Sequence, residues 1–186
     1  MHKCCRQPPR LLGQEGFLRI VNVVQNPVIR GATEADIPAL LTLIRELSAY
    51  EKLTHLVVAT EESYKEALFG ERPVAEALMA FSDGEPVGYA IYFHNFSTFL
   101  GRPGLYLEDI YVRPDVRGKG IGKKLFCTVA RIAQDRSCGR FEWCVLKWNT
   151  PAIEFYDALG AESMDGWLLM RLTGDALDRV ANQASN

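Results

Sequence analysis

The chain has 186 residues, of which 48% are hydrophobic and 24% are charged, and its formal net charge is −2 at pH 7. This length accommodates one hydrophobic core in one ordinary domain. A charge so close to zero provides no extended field that would attract nucleic acid or an acidic membrane, and no stretch of sequence reaches the roughly 18 apolar residues of a membrane-spanning helix. Neither nucleic acid nor a membrane is therefore an expected partner.

The cysteines and the N-terminal segment indicate the cellular setting. The chain has five cysteines with no C-x-x-C pair, at Cys4, Cys5, Cys127, Cys138 and Cys144. An odd number without a metal-ligand spacing is typical of reduced thiols, which predicts a cytoplasmic protein without a metal site. Residues 1–26 carry four basic side chains against one acid. They predict an N-terminal extension, which is a flexible tail, a weak targeting peptide or sequence upstream of the true start.

The first half of the chain predicts a strand, two helices and a hairpin. Residues 28–30 form a short apolar strand, and a second helix covers residues 61–69. Residues 75–82 and 86–93 predict antiparallel strands joined at Asp83-Gly84, a dipeptide typical of tight hairpin turns. The first helix extends to residue 51, because apolar side chains repeat at helical spacing at Ile37, Leu40, Leu41, Ile44 and Leu47.

The second half alternates strands with helices. Strands are predicted at residues 105–112, 140–146 and 167–172. Helices are predicted after residue 120, at 150–159 and, as a short element, at 175–181. This alternation predicts an α/β fold with a mixed central sheet of six to seven strands and helices on both faces. The expected domain spans residues 27–174, followed by a C-terminal tail at 175–186.

The loop after the strand at 105–112 has a composition suited to phosphate. Its sequence, Arg117-Gly-Lys-Gly-Ile-Gly122, combines glycines that permit close backbone approach with the unpaired N–H groups of a helix start. A dinucleotide fingerprint requires glycine at 123, and a P-loop requires Ser or Thr at 124, but both positions are lysines. The pattern that remains is Arg-x-x-Gly-x-Gly between a strand and a helix.

That pattern, preceded by Arg113-Pro114, resembles motif A of the GNAT acyltransferases. Further strings in the same order resemble the spermidine/spermine acetyltransferase-like branch, whose members act on diamines and thialysine. They are LSAYEK at 47–52, YLEDIYV at 106–112, WNTPAIEFY at 148–156, and GA at 160–161 followed by GW at 166–167. The resemblance spans residues 28–172. It implies the GNAT fold and an acetyl-CoA-dependent N-acetyltransferase that uses no metal.

The resemblance also assigns residues to acetyl-CoA. It implies that backbone groups of Ile110, Tyr111 and Val112 pair with the pantetheine arm, as an extended ligand pairs with a sheet edge. Four residues at the start of a later helix would contact the cofactor from its other side: Asn149, Thr150, Pro151 and Ala152. The pyrophosphate would be held by the glycine loop, through Arg117, Gly118, Lys119, Gly120, Ile121, Gly122 and Lys123.

The same resemblance implies catalytic roles for Glu108 and Tyr156. An alkylammonium with a pKa near 10.4 is neutral in roughly one molecule in 2,500 at pH 7, a cost of about 4.6 kcal/mol. Glu108 is the candidate base, or a charge anchor for the substrate, because a carboxylate of ordinary pKa is a weak base unless burial raises it. Tyr156 would protonate the departing CoA thiolate, the alternative being a core tyrosine. Cys144 is expected to be a small buried residue and not a nucleophile.

Acidic side chains would line the acceptor side, at Glu51, Glu108 and Asp165, with Tyr50 beside them. They predict a cationic amine. The segment at 162–165 is shorter than in the polyamine enzymes, so a diamine or a lysine-like amine such as thialysine is at least as plausible as a long polyamine. Glu51 and Asp165 have an alternative as solvated surface residues.

The expected function is therefore acetyl transfer from acetyl-CoA to a primary amine by direct attack in a ternary complex, within a homodimer. Two alternatives remain open at this point. One is acetylation of peptide or protein amines. The other is a CoA-binding protein without catalysis.

Overall fold

The computed structural model describes residues 27–185, which divide into two compact units between Glu142 and Trp143. Most helices and strands belong to the first unit. They are β1 (Val28–Gly31), α1 (Ile37–Tyr50), α2 (Glu61–Phe69), β2 (Glu76–Ser82), β3 (Glu85–Ser97), β4 (Arg102–Val112) and α3 (Ile121–Asp135). Strand β5 (Phe141–Trp143) crosses the division, and the second unit contains α4 (Thr150–Asp157) and α5 (Gly174–Ala181).

The strands form one sheet in the order β1-β2-β3-β4-β5, in which β1 to β4 are antiparallel neighbours. Strands β2 and β3 are joined by Asp83 and Gly84, whose φ angles are +52° and +85°. The favoured two-residue hairpin turn requires positive φ at both positions, which is why the Asp-Gly dipeptide predicted this hairpin correctly. The part of the chain that the structure describes has five strands, fewer than the six to seven predicted.

Helices cover both faces of the sheet, as predicted. On one face, Met79, Tyr89 and Ile91 pack in a core cluster with Leu40 and Leu43 of α1. Successive side chains of a strand point to opposite faces. The alternate buried positions of β2 and β3 therefore face away from α1, and α3 contacts the same strands with its own buried stripe, which contains Ile121, Leu125, Phe126 and Val129.

The start of α1 is fixed by a carboxylate network around Asp36. Its carboxylate accepts hydrogen bonds from Arg30 Nη1 at 2.7 Å and Nη2 at 2.8 Å, and from the Thr33 N–H and hydroxyl, both at 2.7 Å. The Arg30 hydrogen bond holds the pKa of Asp36 well below its ordinary value. This bidentate pair joins β1 to the turn that leads into α1.

Asp36→Asn is expected to lower the free energy of unfolding by about 2 kcal/mol at pH 7, because hydrogen bonds to a charged group are lost. A carboxyl whose pKa is lowered by folding stabilises above its unfolded pKa. The effect should therefore be full above about pH 4 and shrink as the pH falls further. Urea unfolding at pH 7 and pH 3 measures it. Asp83→Asn is the control, since asparagine tolerates the left-handed conformation of this turn; an equal loss in both variants would contradict the prediction.

The second unit differs from the sequence prediction in its strands. The predicted strand at 167–172 is wrong: the segment is irregular, and its large side chains are exposed, with Leu168 at 85% and Met170 at 83%. A strand forms only where it pairs with a neighbour, and this segment pairs with none of the described strands. The strand predicted at 140–146 is reduced to the three residues of β5. Helices α4 and α5 confirm their predictions, and the predicted extension at 1–26 lies outside the described residues.

Candidate functional site

The glycine loop has the geometry of an anion-binding helix start. Gly118 and Gly120 have φ angles of +78° and +80°, and a Cβ atom at either position would meet open space. The first helical hydrogen bond of α3 runs from the Lys124 N–H to the Gly120 carbonyl at 2.9 Å. The N–H groups of residues 121–123 therefore project from the end of the helix, where the helix dipole favours negative charge. Lys119 and Lys123 are exposed beside them.

Arg117 connects this loop to the end of α1. Its Nε donates a hydrogen bond to the Val112 carbonyl at 2.9 Å. Its guanidinium lies over the rings of Tyr50 and Tyr111, at 5.1 Å and 5.7 Å from the ring centroids. Both are cation–π distances. The structure thus joins Tyr50, predicted on the acceptor side, to Arg117, predicted on the cofactor side.

The end of β4 carries the backbone groups predicted to bind the pantetheine arm. Ile110, Tyr111 and Val112 pair with β3 along one edge. Along the other edge, the beginning of β4 is hydrogen-bonded to the chain that leads into β5. The groups of β4 that take part are the Pro103 carbonyl and the Leu105 N–H. Residues 110–112 lie at the opposite end of the strand, next to the glycine loop in sequence.

A β-bulge separates these residues from the start of β4. Ile91 lies opposite Asp109, whereas Tyr92 lies opposite Leu107, so Glu108 is an extra residue without a partner in β3. Glu108 is exposed. Asp109 is half-buried and shares the face of its partner Ile91, which belongs to the core cluster beneath α1 and α2.

Acidic and phenolic groups gather around this bulge. Burial raises the pKa of Asp109 to about 6, with smaller contributions from the charges of Glu108 and Glu51. Burial also raises the pKa of Glu51. Burial raises the pKa of Tyr64, and the charges of Asp109 and Glu108 add to the effect. Among residues 27–185, no lysine, arginine or histidine forms an ion pair with Glu51, Glu108 or Asp109. No basic side chain of the described residues therefore neutralises these three carboxyl groups.

The second unit contains the remaining predicted residues. Asn149 caps α4, and its carbonyl accepts hydrogen bonds from the N–H groups of Ala152 at 3.0 Å and Ile153 at 3.1 Å. Thr150 and Pro151 form the exposed start of this helix. Tyr156 is buried on the same helix, with its ring 4.9 Å from that of Trp143 and 5.3 Å from that of Phe155.

Burial raises the pKa of Tyr156 above its ordinary value. The hydroxyl therefore keeps its proton across the neutral range, as a proton donor must. Asp165 is exposed and accepts a hydrogen bond from the Ser163 hydroxyl at 2.5 Å. Cys144 is exposed, so the prediction of a buried cysteine is wrong: β5 ends at Trp143, and no strand carries Cys144 into a core.

Two residues near the bulge were not predicted from the sequence, Asp109 and Tyr89. The sequence shows two adjacent acids, Glu108 and Asp109, and a regular strand would place them on opposite faces. It does not show which of them is buried, because the bulge that separates their environments has no sequence signal of its own. Tyr89 reads as an ordinary core aromatic of an apolar strand. Its position near Asp109 follows only from the register of β3 with β4.

Residues 27–185 contain no group of three or more side chains that could hold a metal ion. No helix in this part of the chain is long and apolar enough to cross a membrane.

The glycine loop between a strand and a helix is the feature that resembles a GNAT acetyltransferase, and comparison with known proteins supports the same class. The model of the acetyltransferase (GNAT) family matches residues 41–161. This match covers more than half of the chain, which therefore belongs to the GNAT family and is an N-acetyltransferase.

Relatives confirm the predicted branch. Thialysine N-epsilon-acetyltransferase from Bos taurus is 42% identical over 167 residues, covering 84% of this chain and 98% of its own length. L-ornithine N5-acetyltransferase from Arabidopsis thaliana is 32% identical over 197 residues, covering 82% and 86%. Among solved structures, an integron cassette protein from the mobile metagenome of V. cholerae superposes with a TM-score of 0.70 at 26% identity, covering 83% of this chain and 97% of its own.

Proposed function

We propose that the protein transfers acetyl from acetyl-CoA to a primary amine of a small cationic acceptor, by direct attack in a ternary complex. The observation that carries this proposal is the group of three acids around the β4 bulge, Glu51, Glu108 and Asp109, which has no cationic partner among the described residues. The two relatives named above are a thialysine and an ornithine acetyltransferase, and both of those substrates carry a side-chain primary amine. A compact ammonium group satisfies the charge of such a cluster.

Acetyl-CoA is the proposed co-substrate. The open helix start and positive-φ glycines of residues 117–123 support binding of its pyrophosphate. The backbone of Ile110, Tyr111 and Val112 is proposed to pair with the pantetheine arm, and residues 149–152 are proposed to contact the cofactor. No metal takes part.

Glu108 and Tyr156 are the proposed reactive pair. Glu108 is exposed at the bulge and attracts the ammonium group of the acceptor. Tyr156 donates its proton to the CoA thiolate as the thioester breaks, since its hydroxyl is protonated at neutral pH and lies on the helix whose start is proposed to contact the cofactor. Tyr50, Glu51 and Asp165 complete the acceptor side.

The proposed assembly is a homodimer in the cytoplasm. The exposed apolar side chains of residues 167–170 support an interface, since large apolar patches on a soluble protein mark contact sites. Sedimentation of the full chain at several concentrations tests this; a monomer throughout would contradict it.

An acceptor panel tests the function directly. Release of CoA thiol from acetyl-CoA is measured with thialysine, ornithine, lysine, short diamines, spermidine and amino-terminal peptides. Turnover with a small amine supports the proposal. Turnover only with peptides identifies a peptide acetyltransferase, and acetyl-CoA binding without turnover on any acceptor identifies a CoA-binding protein; either result contradicts it.

Gly120→Ala is expected to weaken CoA binding about tenfold, because the new methyl group projects into the open space of the loop and strains a left-handed residue. Gly84→Ala is a matched control: its φ is +85°, its Cβ also meets open space, and it lies in the β2–β3 turn. Calorimetric titration with CoA compares the two variants. Equal CoA affinity in both would show that the loop does not hold the cofactor.

A further inference from the structure

Asp109 is the carboxyl of the bulge cluster that faces inward. Because Glu108 is the extra residue of the bulge, the two neighbouring acids lie in different environments. Glu108 is exposed, and Asp109 shares the face of Ile91 in the core. Strand residues two apart share a face, so Asp109 lies on the same side of β4 as Tyr111. Tyr111 in turn lies directly opposite Tyr89 of β3. Asp109 keeps part of its surface accessible, as a group that meets a substrate must.

Tyr89 is a buried neighbour of Asp109 on the adjacent strand β3. The Tyr89 side chain is fully buried, and its hydroxyl makes no hydrogen bond of normal geometry within the described range, although it is close enough to Asp109 to lower the pKa of that carboxyl. Burial is the main cause of its raised pKa, and the charge of Asp109 is the next largest cause. A buried hydroxyl without a partner destabilises a fold. Its retention next to a carboxyl indicates that it donates to that carboxyl when the carboxyl is charged.

We infer that Asp109 is a catalytic residue that accepts the proton of the acceptor ammonium, and that Tyr89 is the positioning residue that stabilises the Asp109 carboxylate. This inference rests on the proposed function. It leaves Glu108 as the charge anchor.

The proton transfers balance without any further reactant. An N–H bond of the ammonium breaks and an O–H bond forms on Asp109. The freed nitrogen lone pair attacks the thioester carbonyl, the C–N bond forms, and the C–S bond breaks. The thiolate takes a proton from Tyr156, the second amine proton leaves the nitrogen and restores the Tyr156 hydroxyl, and Asp109 returns its proton to solvent. The products are the acetamide, CoA thiol and one proton.

The surroundings of Asp109 suit this role. Burial, and then the charges of Glu108 and Glu51, raise the pKa of Asp109 to about 6, which makes proton acceptance from an ammonium about 100-fold less unfavourable than for an ordinary aspartate. The carboxyl is still mostly ionised at pH 7. The titratable groups around it are Tyr89 on β3, Tyr64 on α2, Glu51 after α1 and Glu108 on its own strand.

The first experiment is a pH profile of kcat/KM with acetyl-CoA and thialysine on the full chain. Wild type is expected to lose activity below about pH 6. Asp109→Asn should abolish this acid limb and lower kcat by 10²- to 10⁴-fold, the range for loss of a general base. Glu108→Gln should mainly raise the KM for thialysine and keep the limb. Glu85→Gln removes an exposed carboxyl at the start of β3 and should behave as wild type.

Tyr89→Phe tests the positioning role. Loss of a hydroxyl dipole that favours the charged carboxylate should move the acid limb upward by roughly half a pH unit or more, with activity recovered at pH 8. Tyr92→Phe is the control, because Tyr92 is a buried tyrosine of the same strand that contacts Glu76 at 3.4 Å. It should leave the limb in place.

Carboxyl ¹³C NMR of the free protein gives a readout that needs no turnover. The Asp109 signal, identified by its loss in Asp109→Asn, is expected to titrate near pH 6, and at higher pH in Tyr89→Phe. Titration near pH 4, or an unchanged acid limb and kcat in Asp109→Asn, overturns the inference while the acetyltransferase function stands. A wild type that acetylates no amine overturns the proposed function and the role of Asp109 together.

Discussion

Tyr156→Phe is expected to lower kcat by about 100-fold or more while leaving the affinity for CoA nearly unchanged. Removing a general acid costs typically 10²- to 10⁴-fold in rate, and phenylalanine keeps the ring that packs on Trp143 and Phe155. Steady-state kinetics with acetyl-CoA and the best acceptor of the panel measure kcat, and calorimetry measures CoA binding.

The stability of the Tyr156 variant separates the two interpretations of this residue. A catalytic proton donor predicts a large loss of kcat with a small change in melting temperature. A tyrosine that serves only the core predicts the reverse. Tyr92→Phe provides the baseline for removing a tyrosine hydroxyl from a buried site; a kcat of Tyr156→Phe within a factor of two of that baseline would exclude the proton-donor role.

Asp109→Asn is expected to stabilise the fold at pH 8 by about 3 kcal/mol. Folding raises the pKa of Asp109 from an ordinary value near 3.8 to about 6, and this difference corresponds to about 3 kcal/mol. Because the pKa of Asp109 is raised by folding and that of Asp36 is lowered, the two carboxyl groups change the free energy of unfolding with pH in opposite directions. The protonated form is favoured by folding, so its stabilisation is complete below about pH 4 and is lost as the pH rises through 6.

Urea unfolding of wild type and Asp109→Asn at pH 8 and pH 4 measures this effect. The variants should differ at pH 8 and agree within about 1 kcal/mol at pH 4, where Asp109 is neutral in the folded chain and only about half ionised in the unfolded chain. Equal stability at both pH values would show that Asp109 is not held in an unfavourable charged state. A substitution that stabilises the fold and removes activity is the usual sign of a residue that is retained for function although it destabilises the fold.

Much of the fold was predictable because its signals are local. The Asp83-Gly84 turn, the helical repeat of α1 and the glycine loop before α3 each specify their conformation within a few residues. For residues 167–172, prediction from the local pattern was wrong. Their apolar composition suits a strand, but strand formation depends on an available neighbour, which a local pattern does not contain.

The sequence by itself determined the family, because the family motifs are residue types in a fixed order. It also predicted a loop for the cofactor pyrophosphate and an acidic acceptor side. It did not distinguish the environments of Glu108 and Asp109. That distinction came only from the tertiary structure, in which the bulge exposes Glu108 and turns Asp109 toward the core beneath α1 and α2. The physical reason is that proton affinity depends on burial and on neighbouring charge, and Glu51, Tyr64 and Tyr89 reach Asp109 from elements that are distant in the chain.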